Sequence, residues 1–192
     1  MQGTWQFIAA RLLQAKEPAA HTPADDWESF FHVLSWVVLR FTRHGLDPSL
    51  LTAELATTYD FSYMRGDKDY GGENKESRII MRFMSTKAQI PPGPLLDLLK
   101  DLVDVFAVRY EVEPSEEEKK AYDLRLQSLP RDPSGEPLMH LVAGDFVKSF
   151  YDRKEKLTAS WMLGRFKDAV NSATWDLGLN GQRFENPLVH TD

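Results

Sequence analysis

The chain has 192 residues, of which 42% are hydrophobic and 27% charged, a composition typical of a folded domain rather than a disordered polymer. The net charge of −6 and the absence of cysteine exclude a disulfide framework, a cysteine zinc site and a generally basic nucleic-acid surface. No apolar run reaches the roughly 18 to 20 residues that cross a bilayer, and the N-terminus lacks a signal-peptide pattern. We therefore expect an intracellular protein, cytoplasmic or nuclear, without a membrane or nucleic-acid partner.

The first strong helix is predicted over residues 23–43. Thr22 is a suitable N-cap, Pro23 suits the first helical position, and Gly45 follows where a left-handed C-terminal cap is wanted. Aromatic and aliphatic residues cover far more than one stripe of this helix. We therefore expect it to be buried on most sides and to be the central element of the domain.

After this helix, residues 44–93 are predicted to form a loop-rich insert. It contains a short helix that starts at Asp47-Pro48 and a polar, glycine-bearing loop over 66–74. Further helices are predicted after Pro94, after the capping-box residue Ser115, over 145–157 and over 160–170. Alternating strand patterns are almost absent, so the predicted fold class is mainly α.

Several short motifs resemble functional sites but lack a required residue. The glycines of 66–72 are not followed by the Lys and Ser or Thr of a phosphate-binding loop. Asp67 starts a calcium-loop pattern, yet Arg78 stands where a bidentate Glu is needed. The five histidines show no metal-ligand spacing, and His32 is predicted to be a core residue. The sequence thus predicts no catalytic, cofactor-binding or metal-binding residue.

Two early segments resemble the fungal-type protein kinase family. Residues 3–9, Gly-Thr-Trp-Gln-Phe-Ile-Ala, look like the end of a kinase activation segment, and residues 25–34 resemble the start of the central C-lobe helix. Weaker blocks follow in the family's order, at 71–75, 94–99, 106–110 and 160–162.

The resemblance implies that residues 1–192 form a partial kinase-like domain, the helical C-lobe. Residues 1–14 would end the activation segment, 22–43 would be the central helix, 44–93 an insert and 94–192 the C-terminal helices.

The resemblance also implies roles for individual residues. Gly3, Thr4, Trp5 and Gln6 would form the wall that receives the substrate peptide beside the phosphoacceptor. Asp26 would be the buried carboxylate that bonds the catalytic-loop backbone, and Ser29 would be a second landmark of the helix start. At Ala10-Arg11 the family commonly has proline and glutamate. An arginine is not expected to make the buried ion pair that this glutamate makes.

Complete members of the family use ATP and magnesium to phosphorylate Ser or Thr of proteins. The groups that do so precede the activation segment and are not found in this chain. We therefore expect a C-lobe fragment that is inactive alone, with the missing N-terminal lobe or another protein as its partner. The alternative is a noncatalytic helical interaction module, and a third interpretation is a fragment without a cellular role.

Overall fold

The computed structural model describes residues 5–17 and 19–172, and most of these residues lie in helices. The mainly α class predicted from the sequence is confirmed. Among the described residues no helix is long and apolar enough to span a membrane. The helices are α1 (Ala10–Gln14), α2 (Pro23–Phe41), α3 (Pro48–Leu55), α4 (Glu73–Ile80), α5 (Phe83–Thr86), α6 (Pro94–Ala107), α7 (Glu116–Gln127), α8 (Phe146–Glu155) and α9 (Ala159–Val170).

Helix α2 begins where the sequence predicts but ends differently. Thr22 precedes the first turn, and its backbone N–H donates to the Asp25 carboxylate at 2.7 Å. The helix ends at Phe41 with Thr42 in an extended conformation. Gly45 does not adopt the left-handed conformation predicted for it. A Cβ on Gly45 would lie 2.0 Å from the Gln89 side chain, so a close approach rather than a cap explains the small residue.

Only one side of α2 is buried, which corrects the expectation of a helix enclosed on most sides. Phe31, Val38 and Leu39 lie in the core. The opposite side exposes four large apolar residues, Phe30, Val33, Val37 and Phe41. The many apolar residues of α2 therefore serve two different surfaces, one turned to the core and one turned to solvent.

The helix at the centre of the described core is α6. It contacts α2, α4, α5, α8 and α9, and most of its 14 residues are buried. Leu99 and Leu102 are fully enclosed, and Phe106 meets Phe31 of α2 with ring centroids 5.4 Å apart. The sequence predicts α6 as a one-sided helix, but its neighbours surround it. Its apolar spacing indicates one core face and carries no information about how many partners share that face.

The region predicted as a loop-rich insert is largely regular structure. Helix α3 continues into a π-helical turn, Ala56–Asp60, and an antiparallel hairpin follows, formed by β1 (Tyr63–Arg65) and β2 (Lys68–Tyr70). The predicted polar loop over 66–74 is therefore the hairpin turn, strand β2 and the start of α4. Strands of three residues are too short for an alternating pattern to be recognised in the sequence.

The predicted helices after Ser115, near 145–157 and near 160–170 are present as α7, α8 and α9. Helix α7 buries none of its residues. It is joined to the start of α8 by an ion pair between Arg125 and Asp145 at 2.7 Å. Arg153 of α8 forms a two-pronged bond to Glu111, at 2.7 and 2.6 Å. The part of the predicted C-terminal region beyond residue 172 lies outside the described residues.

Gly72 brings α4 against α1. Its φ of 97° is left-handed, and a Cβ there would lie 2.6 Å from the Ala10 carbonyl oxygen. Both the conformation and the backbone contact exclude a side chain. The glycine of this segment thus has a packing role in place of the phosphate-binding role that its sequence superficially resembles.

We predict that Gly72→Ala lowers the free energy of unfolding by about 3 kcal/mol, because left-handed strain and a backbone clash add together. Urea unfolding followed by circular dichroism measures the change. Gly164→Ala is the control, since a Cβ in that helical position meets no atom within 4 Å. It should gain about 0.5 to 1 kcal/mol. Equal effects of the two substitutions would contradict the close approach of Gly72 to Ala10.

Candidate functional site

The N-terminal segment lies across the start of α2 and the end of the π-helical turn. Trp5–Phe7 form one 3-10 turn before α1. The Trp5 indole donates to the carbonyl of Phe61 at 3.3 Å, and the Gln6 amide donates to Asp60 at 3.2 Å. Trp5 and Gln6, two of the predicted peptide-wall residues, are thus held side by side. Gly3 and Thr4 lie outside the described residues.

Lys75 of α4 holds this segment in place through two hydrogen bonds. Its side chain is 1% exposed, and Nζ donates to the carbonyl oxygens of Trp5 at 2.9 Å and Ile8 at 3.0 Å. Burial lowers the pKa of Lys75 to about 8, against the opposing influence of the Glu28 and Asp60 carboxylates. The lysine therefore fixes two backbone carbonyls of this segment, one in the 3-10 turn and one between that turn and α1.

Arg11 of α1 forms an ion pair with Asp25, which corrects the expectation that an arginine here makes none. Its Nε donates to Asp25 at 2.6 Å and a terminal nitrogen bonds the second carboxylate oxygen, so both oxygens are used. Burial alone would raise the pKa of Asp25, but the bonds from Arg11, Thr22 and Arg109 hold it well below its ordinary value. In this pair the segment supplies the cation and α2 supplies the acid.

Glu28 is the second buried acid of α2 and is 0% exposed. One carboxylate oxygen accepts the Ala10 backbone N–H at 2.8 Å and the Tyr110 hydroxyl at 2.6 Å, while the other accepts Arg109 at 2.5 Å. Burial would raise its pKa, yet the bond from His32, the charge of Arg109 and the Tyr110 hydroxyl keep it lowered. Glu28 thereby joins α1, α2 and the end of α6.

Arg109 bridges the two acids. It lies just after α6, contacts Asp25 and Glu28 at 2.5 Å each, and donates to the Ala24 carbonyl at 2.7 Å. We call Arg11, Asp25, Glu28 and Arg109 the buried ionic cluster. Its two acids and two guanidinium groups balance in charge, which is the condition for burying them without a large penalty.

His32 lies one turn after Glu28 and is 2% exposed, which agrees with its prediction as a core residue. Its Nε2 is 3.4 Å from the Glu28 carboxylate. Burial lowers the pKa of His32 below its ordinary value of 6.5, despite the favourable effect of Glu28. A cavity of about 20 Å³, roughly the room for one water molecule, adjoins His32, Lys75 and Tyr59.

The two landmark residues of the helix start occupy different environments. Asp26 is exposed, and its carboxylate lies 3.4 Å from the exposed His21 ring. The expected buried carboxylate is its neighbour Asp25, so the expectation that Asp26 is enclosed is wrong. Ser29 is half-buried and donates its hydroxyl to the Asp25 carbonyl at 2.8 Å. The exposed Asp26 leaves its oxygens accessible to another polypeptide segment.

Sequence reasoning assigned no role to Glu28, Lys75, Arg109 or Tyr110. Lys75 ends the 71–75 block and Arg109-Tyr110 end the 106–110 block, both noted for their resemblance to the family. Arg109 lies just after the apolar helix α6, and a charged residue in such a position can indicate a buried ion pair. Among the described residues, no group of three or more His, Asp or Glu is arranged to hold a metal ion.

The described residues define a mainly helical protein in which an N-terminal segment is fastened to a long helix by a buried ionic cluster. The model of the family described as fungal protein kinase matches residues 1–38, which include this segment and most of α2. Searches of curated proteins and of solved structures found no match. The matched stretch supplies Arg11, Asp25 and Glu28 but ends long before Arg109.

The neighbouring acids Glu28 and Asp26 provide a matched pair of substitutions. We predict that Glu28→Gln lowers the free energy of unfolding by about 3 kcal/mol, because it leaves a buried guanidinium without its full partner. Asp26→Asn should cost less than about 1 kcal/mol, since the carboxylate is exposed and acts mainly on the helix dipole. Chemical unfolding of both variants measures the difference, and a larger cost at Asp26 would contradict the assignment.

Stability should fall in two stages as the pH decreases. The folded-state pKa of His32 is lowered, so the unfolded chain binds the proton first and stability declines below about pH 6.5. Asp25 and Glu28 also have lowered pKa values, so their contribution is present above their unfolded values and is lost below about pH 4. Urea midpoints from pH 8 to pH 3 measure both stages. His32→Gln should remove the first stage and keep the second, and an unchanged first stage would contradict its origin.

Proposed function

We propose that the chain is the helical lobe of a fungal-type protein kinase. A complete kinase of this kind transfers the γ-phosphoryl group of ATP to Ser or Thr of a protein. In this proposal residues 5–14 end the activation segment, and the chain contributes the substrate-facing wall and the support beneath it. We propose that this reaction takes place inside the cell.

One observation carries the proposal: in the matched stretch, α1 and the 3-10 turn before it are held against α2 through buried charges. A kinase needs the end of its activation segment fixed to the lobe, because the substrate peptide is positioned there. The buried ionic cluster and Lys75 supply such a fixation from three separate parts of the chain, which are α2, the end of α6 and α4.

The residue roles follow from what each side chain contacts. Trp5 and Gln6 form part of the peptide wall, with Gly3 and Thr4 before them, and Asp60 and Phe61 hold that wall in place. Asp26, whose carboxylate is exposed, would accept backbone N–H groups of a catalytic loop. Ser29 would steady the first turns of α2 through its bond to the Asp25 carbonyl.

Phosphoryl transfer requires groups that the sequence does not supply. A glycine-rich phosphate loop, a strand lysine paired with a helix glutamate, a catalytic aspartate and a magnesium-binding aspartate are not found in residues 1–192. In the proposed assembly a nucleotide-binding lobe provides these groups together with ATP and magnesium. That lobe is the partner that we propose for residues 1–192.

Reconstitution tests the proposal. Residues 1–192 are mixed with the N-terminal half of a fungal-type protein kinase that ends before its glycine-threonine pair. Transfer of labelled γ-phosphate to a peptide library containing Ser and Thr is then measured. Neither half should transfer phosphate alone, and the mixture should. Asp26→Asn should lower the activity of the mixture at least tenfold while leaving the stability of the chain almost unchanged.

The outcomes separate binding from catalysis. Phosphate transfer by residues 1–192 alone would show that the assignment of the catalytic groups to another lobe is wrong. A stable complex of the two halves without activity would contradict the kinase-lobe role. Lys100→Gln, an exposed position on α6, serves as the control and should leave the mixture active.

A second candidate function is a noncatalytic helical interaction module. The exposed apolar side of α2 favours it, because a surface of this kind on a soluble domain usually marks a contact with another molecule. Size-exclusion chromatography of residues 1–192 with and without the N-terminal half distinguishes the two candidates. If the chain elutes as one discrete species by itself, and its elution does not change when the N-terminal half is added, the interaction module is favoured.

A further inference from the structure

The four exposed apolar residues of α2 form a continuous stripe. Phe30, Val33, Val37 and Phe41 follow one another at intervals of three, four and four residues, which keeps them on one face of a helix. Phe30 is 66% exposed and Phe41 is 54% exposed. The stripe is about 16 Å long and exposes on the order of 300 Å² of apolar surface. We call these four residues the α2 stripe.

The α2 stripe is not required by the fold of the described residues. The helix already meets the core through Phe31, Val38 and Leu39 on its other side. Polar residues at the four stripe positions would be compatible with the same helix, because most surface helices have polar residues on the face that is turned away from the core. Four large apolar side chains in register therefore indicate a second surface with its own occupant.

Charges at the two ends of the stripe define what that occupant must be. Asp26 lies one turn before Phe30 on the same face and is exposed. At the opposite end Arg40 lies over the Trp36 ring at 5.4 Å, and the exposed Arg43 follows the helix. A complementary surface is apolar in the middle, basic beside Asp26 and acidic beside Arg40 and Arg43.

Helix α2 of another molecule, running in the opposite direction, has this pattern. We propose that two copies of the chain pair through their α2 stripes as an antiparallel dimer about a twofold axis. The axis passes between Val33 and Val37, so each Val33 faces the partner's Val37. Asp26 of each copy then lies at the basic end of the other helix. The helix dipoles oppose each other, and the contact is isologous and closes at two copies.

The pairing is expected to be weak, because one helix on each side buries less than a standard interface. A dissociation constant between roughly 1 and 100 μM matches an interface at the low end of the size range. The inference uses only the surface of α2 and does not rest on the proposed function. A failure of phosphate transfer leaves it standing, and its own failure leaves the kinase-lobe proposal standing. Asp26 lies on the face that the dimer covers, so the pairing is proposed for the chain without a catalytic loop bound there.

Sedimentation velocity of residues 1–192 from 2 to 200 μM tests the dimer. The wild-type chain should shift from monomer to a discrete dimer over this range. Val37→Glu should remain monomeric at every concentration, with an unchanged helix signal in circular dichroism. Leu163→Glu is the matched control: it also places a charge on an exposed helical residue, on α9, and should still dimerise. A monomeric wild-type chain, irregular aggregates without a dimer, or a dimeric Val37→Glu variant would each overturn the proposal.

Cross-linking tests the direction of the two helices. The chain contains no cysteine, so an introduced one reports on a single position. Val33→Cys mixed with Val37→Cys should form a mixed disulfide under mild oxidation, at least tenfold faster than either variant forms one alone. A parallel pair predicts the reverse, with rapid disulfides in each variant alone, and that result would overturn the antiparallel arrangement. Val112→Cys, exposed and distant in sequence from the stripe, gives the background rate.

Discussion

The contact between Arg109 and the two acids of α2 is the interaction on which the rest of the site depends. Asp25 and Glu28 are both fully buried, and two ionised carboxylates one helical turn apart repel each other strongly in a low-dielectric interior. Arg109 reaches both, and Arg11 neutralises Asp25 from the other side. The acids can therefore stay charged and accept bonds from α1. Without them the N-terminal segment would keep the bonds from Lys75 and its apolar packing, which includes Leu12, Leu13 and the Phe7 ring.

Several helices could be predicted from local chemistry because their starts contain the required residues. The proline at the first position of α2 and α6 and the Ser115 cap of α7 each mark the start of a helix. The hairpin and the π-helical turn could not be found in this way, since three-residue strands carry no periodic signal. The burial of α2 was also beyond local reasoning. Two apolar surfaces on one helix produce the same composition as one helix enclosed by a core.

The sequence indicates some residues of the site but not their contacts, because those contacts depend on how the helices pack. The resemblance to the kinase family indicates residues 3–6, Asp26 and Ser29, but it reports short motifs and not contacts. Whether Asp25 or Asp26 is buried depends on the rotation of α2 against α1 and α6, and adjacent positions differ by about 100° on a helix. The ion pair of Arg11 depends equally on that rotation. Long-range partners such as Arg109, more than 80 residues from Asp25 and Glu28, are set by the tertiary fold.

The same sequence separation has a consequence for how the molecule assembles. Closing a loop of this length costs conformational entropy before any contact repays it, so pairings of high sequence separation tend to form late. During synthesis Asp25 and Glu28 emerge well before Arg109. Until then they lack the guanidinium group that contacts both carboxylates. Residues 5–14 would then take their final place only after Arg109 is made, although they precede it in the chain. The order of the chain and the order of its folding run in opposite directions at this site.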